Sequence, residues 1–150
     1  MGIGGPTLAS NAPDQGEVRR YLEKILASRA FARAPRVQEF LRFVVEETLA
    51  GRAREINEPL VAAHVFNLGA GFDRRKNSIV RAEATHVRRR LHNYYLGAGG
   101  SDPVIIDLPR GGYIPFIRAV VHGESKPEAR WRQLAAWLSL VRPGKSAPWT

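Results

Sequence analysis

The chain contains no cysteine and a single methionine in 150 residues. Disulfides and thiolate metal sites are therefore excluded. No Lys or Arg precedes Arg19 and no long apolar run opens the chain, so a secretory signal is not expected. The apolar stretch from Trp131 to Val141 covers about ten residues, roughly 15 Å of helix. That is half the hydrocarbon thickness of a bilayer, too short to cross one. Catalytic constellations are missing as well. His64, His86, His92 and His122 lack the i, i+3 or i+4 spacing of helical metal ligands, and no carboxylate pairs with them. Gly69-Ala-Gly71 follows a helical segment and lacks a third glycine, and no serine sits in a nucleophile elbow. The expectation is a protein without enzymatic activity, cofactor, metal or small-molecule substrate.

Acidic residues are also scarce, 14 against 23 Lys and Arg, leaving a formal charge of +9. The excess is local. From Phe72 to His92, Arg74, Arg75, Lys76, Arg81, Arg88, Arg89 and Arg90 face only Asp73 and Glu83, which is +5 of the +9. A polyanionic partner is implied, with nucleic acid ahead of a membrane surface. An apolar content of 44% is ample for a core.

Three segments are expected: a loose arm over 1–16, a folded domain over 17–120, and a linker, short Trp/Arg helix and frayed tail over 121–150. Val18, Tyr21, Leu22, Ile25 and Leu26 recur at helical spacing. A second helix begins at Pro35, carries Val37, Phe40, Leu41, Val44, Val45 and Leu49, and ends at Gly51. A shorter third helix starts after Asn57 with Leu60, Val61, Val65 and Phe66 inward. Residues 78–96 form the organising helix. Val80, Ala84, Val87, Leu91 and Tyr94 line one face, Asn77 or Ser78 caps the start, and Gly97 is expected at C′. Beyond it, Val104 to Leu108 and Tyr113 to Ile117 read as strands of a hairpin turning at Pro109-Arg-Gly-Gly112, with Pro115 placing the second strand at an edge. The expected class is mainly α with a small β-hairpin, a winged helix-turn-helix with two extra N-terminal helices.

Two phrases carry a resemblance. Val80-Arg-Ala-Glu-Ala-Thr-His-Val-Arg-Arg-Arg-Leu91 resembles the recognition helix of OmpR/PhoB-type winged-helix domains. Ile106-Asp-Leu-Pro-Arg-Gly-Gly-Tyr113 is similar to their wing, one residue shorter. Over roughly Val18 to Ile117, Leu41-Arg-Phe-Val-Val-Glu-Glu-Thr-Leu-Ala-Gly51, Ile79-Val-Arg-Ala-Glu83 and Leu91-His-Asn-Tyr-Tyr95 look like one bacterial module. It often stands at the N-terminus of adenylate cyclase-like, TolB-like or tetratricopeptide-repeat proteins, commonly ahead of a transmembrane helix. The resemblance implies a cytoplasmic DNA-binding domain. The chain departs from the response-regulator pattern in having two N-terminal helices where those domains have a small sheet, and in having no receiver domain. It stops just where a membrane span would start, so Trp131 to Val141 is expected to be either a vestige of that span or a helix closing the fold.

On this reading Arg81, Thr85, Arg89 and His92 face base edges in the major groove. Arg74, Arg75, Lys76, Ser78 and Arg88 meet the DNA backbone, and Arg110 at the hairpin tip meets the minor groove or a phosphate. The competing reading of Arg88 to Arg90 is a solvated, ion-paired helix face. The partner is double-stranded DNA, with the first two helices available for a homodimer. The alternative is an interaction module on the same fold, binding an acidic protein or anionic membrane through Trp131, Trp137 and their arginines without specific DNA binding.

Overall fold

The structure, a computed structural model, describes residues 12–120. Helix α1 spans Gln15–Ala27, because Asp14, in extended backbone, accepts a hydrogen bond from the Glu17 N–H at 2.8 Å. The Gln15 side chain donates to the Leu49 carbonyl at 2.7 Å. The expected arm over 1–16 is thus too long: Gln15 and Gly16 are helical, since Asp14 caps the helix four residues before its first apolar position, Val18. Residues 1–11 of that arm lie outside the described residues, as do 121–150, with Trp131, Trp137 and the expected C-terminal helix.

Helix α2 spans Pro35–Leu49 with proline in its first turn, where a missing N–H costs nothing. The link from α1 passes through Arg33 in the left-handed region (φ 61°) and is tied by the Gln38 side chain, which donates to the Phe31 carbonyl at 2.7 Å. After α2, Gly51 takes φ 84°, a conformation that a side chain would strain. A 3₁₀ turn over Ala53–Glu55 leads to α3, Glu58–Phe66, capped by Asn57, whose side chain accepts from Leu60 N at 2.9 Å. Helix α4 spans Ile79–Leu96. The Asn77 side chain accepts from Ile79 N at 3.0 Å, while Ser78 makes no side-chain cap. Gly97 is the C-cap itself, not C′, and its φ of −119° makes no left-handed turn. The glycine the turn requires is Gly99. A Cβ there would lie 2.1 Å from the Tyr94 ring.

Strands β1 (Val104–Asp107) and β2 (Phe116–Ala119) form an antiparallel pair with Ile106 opposite Ile117 and Asp107 opposite Phe116. The second strand therefore starts three residues later than its apolar run suggested. Pro115 has no N–H to give a ladder, so pairing begins after it, and the connection is the eight residues 108–115 instead of a tight turn. All four residues of β1 are buried, and those of β2 half-buried. The Ile106 N–H is satisfied by the Tyr95 hydroxyl at 2.7 Å, so α4 seals part of β1's backbone.

Among the described residues the architecture is four helices with a small two-stranded sheet, mainly α within an α+β class. One apolar cluster joins all elements around the inward face of α4: Val80, Ala84, Val87, Leu91, Tyr94 and Tyr95. Each of the larger of these side chains contributes on the order of 2 kcal/mol on removal from water. Among the described residues no helix is long and apolar enough to cross a membrane.

Candidate nucleic-acid interface

With α4's apolar stripe fixed inward, a rotation of about 100° per residue determines every other side chain's direction. Ser78, Ala82, Thr85, Arg89 and Asn93 face away from the core, and all are exposed. Arg81, Arg88 and His92 occupy one flank. Glu83, His86 and Arg90 occupy the other.

The first flank meets α3 and the hairpin. Arg81 places Nη1 2.6 Å from Oε2 of Glu58, in the first turn of α3. Arg74, from the loop before α4, brings Nε within 3.9 Å of the same carboxylate. Arg88 turns inward. Its Nε donates to the Leu108 carbonyl at 3.0 Å, and its Nη2 to the carbonyls of Pro109 at 3.2 Å and Gly112 at 2.9 Å. Burial lowers its pKa, with the nearby positive charge of Arg110 adding to the effect. Arg88 was expected at the DNA backbone; the structure gives it another task, clamping the hairpin connection to α4. Tyr113, in that connection, is buried, and its hydroxyl pKa is raised first by burial and then by Glu58, against the opposing charges of Arg88, Arg81 and Arg74. Phe40 of α2 packs behind it, with ring centroids 6.2 Å apart.

On the other flank, Arg90 Nη1 donates to the Ala30 carbonyl at 2.8 Å, fastening α4 to the α1–α2 link. Arg88 and Arg90 are thus built into the fold and do not form a solvated charged face. Arg89, between them in sequence, is exposed and lies 2.8 Å from Nδ1 of His86. Thr85 is exposed and donates back to the Arg81 carbonyl at 3.1 Å. His92 is exposed and lies near enough to Asp107 to favour its charged form. Arg110 is exposed at the turn, next to Gly111 at φ 95°. Arg75 and Lys76 are exposed in the loop ahead of α4, where Asp73 accepts from Arg75 N and organises the backbone.

Charge pairing is uneven across the molecule. On α1 and α2, Arg19 bonds Glu46 at 3.1 Å, Arg42 bonds Glu23, and Arg52, just past α2, bonds Glu47 at 2.8 Å. Lys24 of α1 bonds the buried Asp102, which also accepts from the Tyr94 hydroxyl. By contrast, Arg75, Lys76, Arg89 and Arg110 have no carboxylate partner among the described residues. Uncompensated positive charge thus sits on α4's outward face and on the loop and hairpin beside it, and also on Arg20, Arg29, Arg33, Arg36 and Arg54, which have no carboxylate partner among the described residues either; what marks the α4 side is the clustering of its cations. Such a surface can bind phosphates and offer guanidinium, hydroxyl and imidazole groups to base edges. Among the described residues no three His, Asp or Glu side chains gather as a metal site.

Three contributors lay outside the sequence reading. In the sequence Glu58 simply stands in the first turn of the third helix; its burial depends on α4 and the hairpin, which no local pattern encodes. Asp102 and Tyr95 likewise acquire partners only in three dimensions. Comparison with protein-family models, curated proteins and solved structures finds no match.

Proposed function

We propose that this chain is a cytoplasmic DNA-binding protein, a transcriptional regulator of winged helix-turn-helix plan. Helix α4 enters the major groove, and the 108–115 connection acts as the wing. The observation that supports this best is the Arg88 clamp. By holding three carbonyls of the connection against α4, it keeps Arg110 beside the helix whose outward face carries Thr85 and Arg89. A loosely tethered hairpin would leave those cations unrelated. A major groove about 12 Å wide admits one helix, so the elements beside it lie over the flanking phosphates.

In this arrangement Arg89 and Arg81 donate to guanine edges, and Thr85 and His92 contact neighbouring bases. Arg75, Lys76 and Ser78 hold the backbone at the helix start, with Arg74 beside them, and Arg110 reaches the adjacent phosphate or minor groove. Arg88 contributes by fixing the wing.

The test is fluorescence anisotropy of a labelled duplex of mixed sequence, titrated with protein across a range of salt. Affinity is expected to fall linearly in the log–log plot, and Arg110→Ala should reduce the slope by roughly one phosphate contact. Absence of binding in moderate salt would sink the proposal and turn attention to anionic vesicles and acidic proteins.

A further inference from the structure

The Glu58 carboxylate is only 6% exposed, yet it bonds an arginine whose side chain is 45% exposed. A carboxylate taken out of water needs its cation, and withdrawing that cation costs more than one solvent-exposed phosphate contact returns. Arg81 therefore does not leave Glu58 for a phosphate. It stays bonded through Nη1, and its remaining guanidinium donors are presented in one fixed plane on the open side. Arg74, with Nε 3.9 Å from the other carboxylate oxygen, is a second cation beside Glu58. Tyr113, buried in the hairpin connection, lies near enough to feel the charge of Glu58.

We propose that Glu58 is a specificity-determining positioning residue: it orients the Arg81 guanidinium for one base pair of the site. The proposal rests on the DNA-binding reading of α4. An arginine free to rotate contacts phosphates and bases without preference, whereas one held from behind loses less conformational freedom on forming a bidentate contact and discriminates better. Glu58 itself touches no DNA.

The experiment compares wild type, Glu58→Gln, Glu58→Asp, Arg81→Ala and Glu58→Gln/Arg81→Ala on the site that wild type selects from random duplex DNA. Each is competed against single-base variants of that site, and each is melted thermally. Glu58→Gln is expected to lose about tenfold in discrimination at one base pair, the same pair that Arg81→Ala relaxes, with other positions unchanged. Glu58→Asp keeps the charge but withdraws it by one methylene, and should relax the same pair even if Glu58→Gln folds poorly. Arg81→Ala should melt lower than the double variant, because it alone strands the buried carboxylate. A Glu58→Gln or Glu58→Asp protein that discriminates exactly as wild type would overturn the proposal and leave the DNA reading intact. A wild type that selects no site would overturn both.

Discussion

Two residues show how side chains and backbone are matched in this fold. Gly99 lies against the ring of Tyr94, which is itself fully buried and hydrogen-bonded to Asp102. Three ring carbons stand within 2.7 Å of where a Cβ would be, and the ring has nowhere to go. Gly99→Ala should therefore cost about 1–3 kcal/mol in a urea unfolding measurement, the range for overpacking a core. An unchanged midpoint would show that the turn yields instead. Asp107 behaves in the opposite sense, because an acidic group has been buried at the end of β1. Burial raises its pKa to about 6, against the Leu108 N–H, Arg88 and His92, which favour the charged form. The folded chain holds this proton more tightly than the unfolded one. Its contribution to stability is therefore complete below the ordinary carboxylate range and lost as pH rises through about 6. Asp107→Asn should unfold later than wild type at neutral pH, by up to about 3 kcal/mol, and match it near pH 4. An equal gap at both pH values would contradict this origin.

At the scale of elements, the hairpin connection depends on one arginine. Arg88→Ala removes the donors facing Leu108, Pro109 and Gly112, and should cost about 1–3 kcal/mol. Faster amide exchange at Ile106 and Ile117 would locate the loss in the hairpin; loss of stability with exchange unchanged there would not. The helices were legible because their apolar positions repeat at 3.6 residues and their caps are local: Asn57, Pro35 and Gly51 act where the sequence places them. The strands were only half legible. Ile106 and Tyr113 are both apolar enough for a strand, but pairing is a non-local choice, and Pro115 shifted it to Phe116. Candidate contact residues on α4 followed from the wheel. What the wheel could not supply was which arginines face backward: Arg88 and Arg90 bond carbonyls at positions 108–112 and 30, and Arg81 bonds Glu58, partners distant in sequence.

Over the whole molecule, the distribution of pairing matters more than the net charge of +9. Arg19, Arg42 and Arg52 are each paired with a carboxylate at the surface, pairs that contribute little to stability but cancel three of the positive charges on that side. Arg20, Arg29, Arg33, Arg36 and Arg54 have no carboxylate partner among the described residues either, but the cations beside α4 are clustered as well as uncancelled, which favours that face toward a polyanion. Glu46→Gln should therefore raise affinity for duplex DNA only slightly, since it frees Arg19 away from α4; an effect as large as that of Arg89→Ala would mean binding without orientation. The proposal that α4 reads base sequence is tested most directly by selection of random duplex DNA with the purified protein, in parallel with Arg89→Ala. The expected result is enrichment of a defined site that Arg89→Ala relaxes. Retention without any enriched site, or no retention above background in moderate salt, would contradict it.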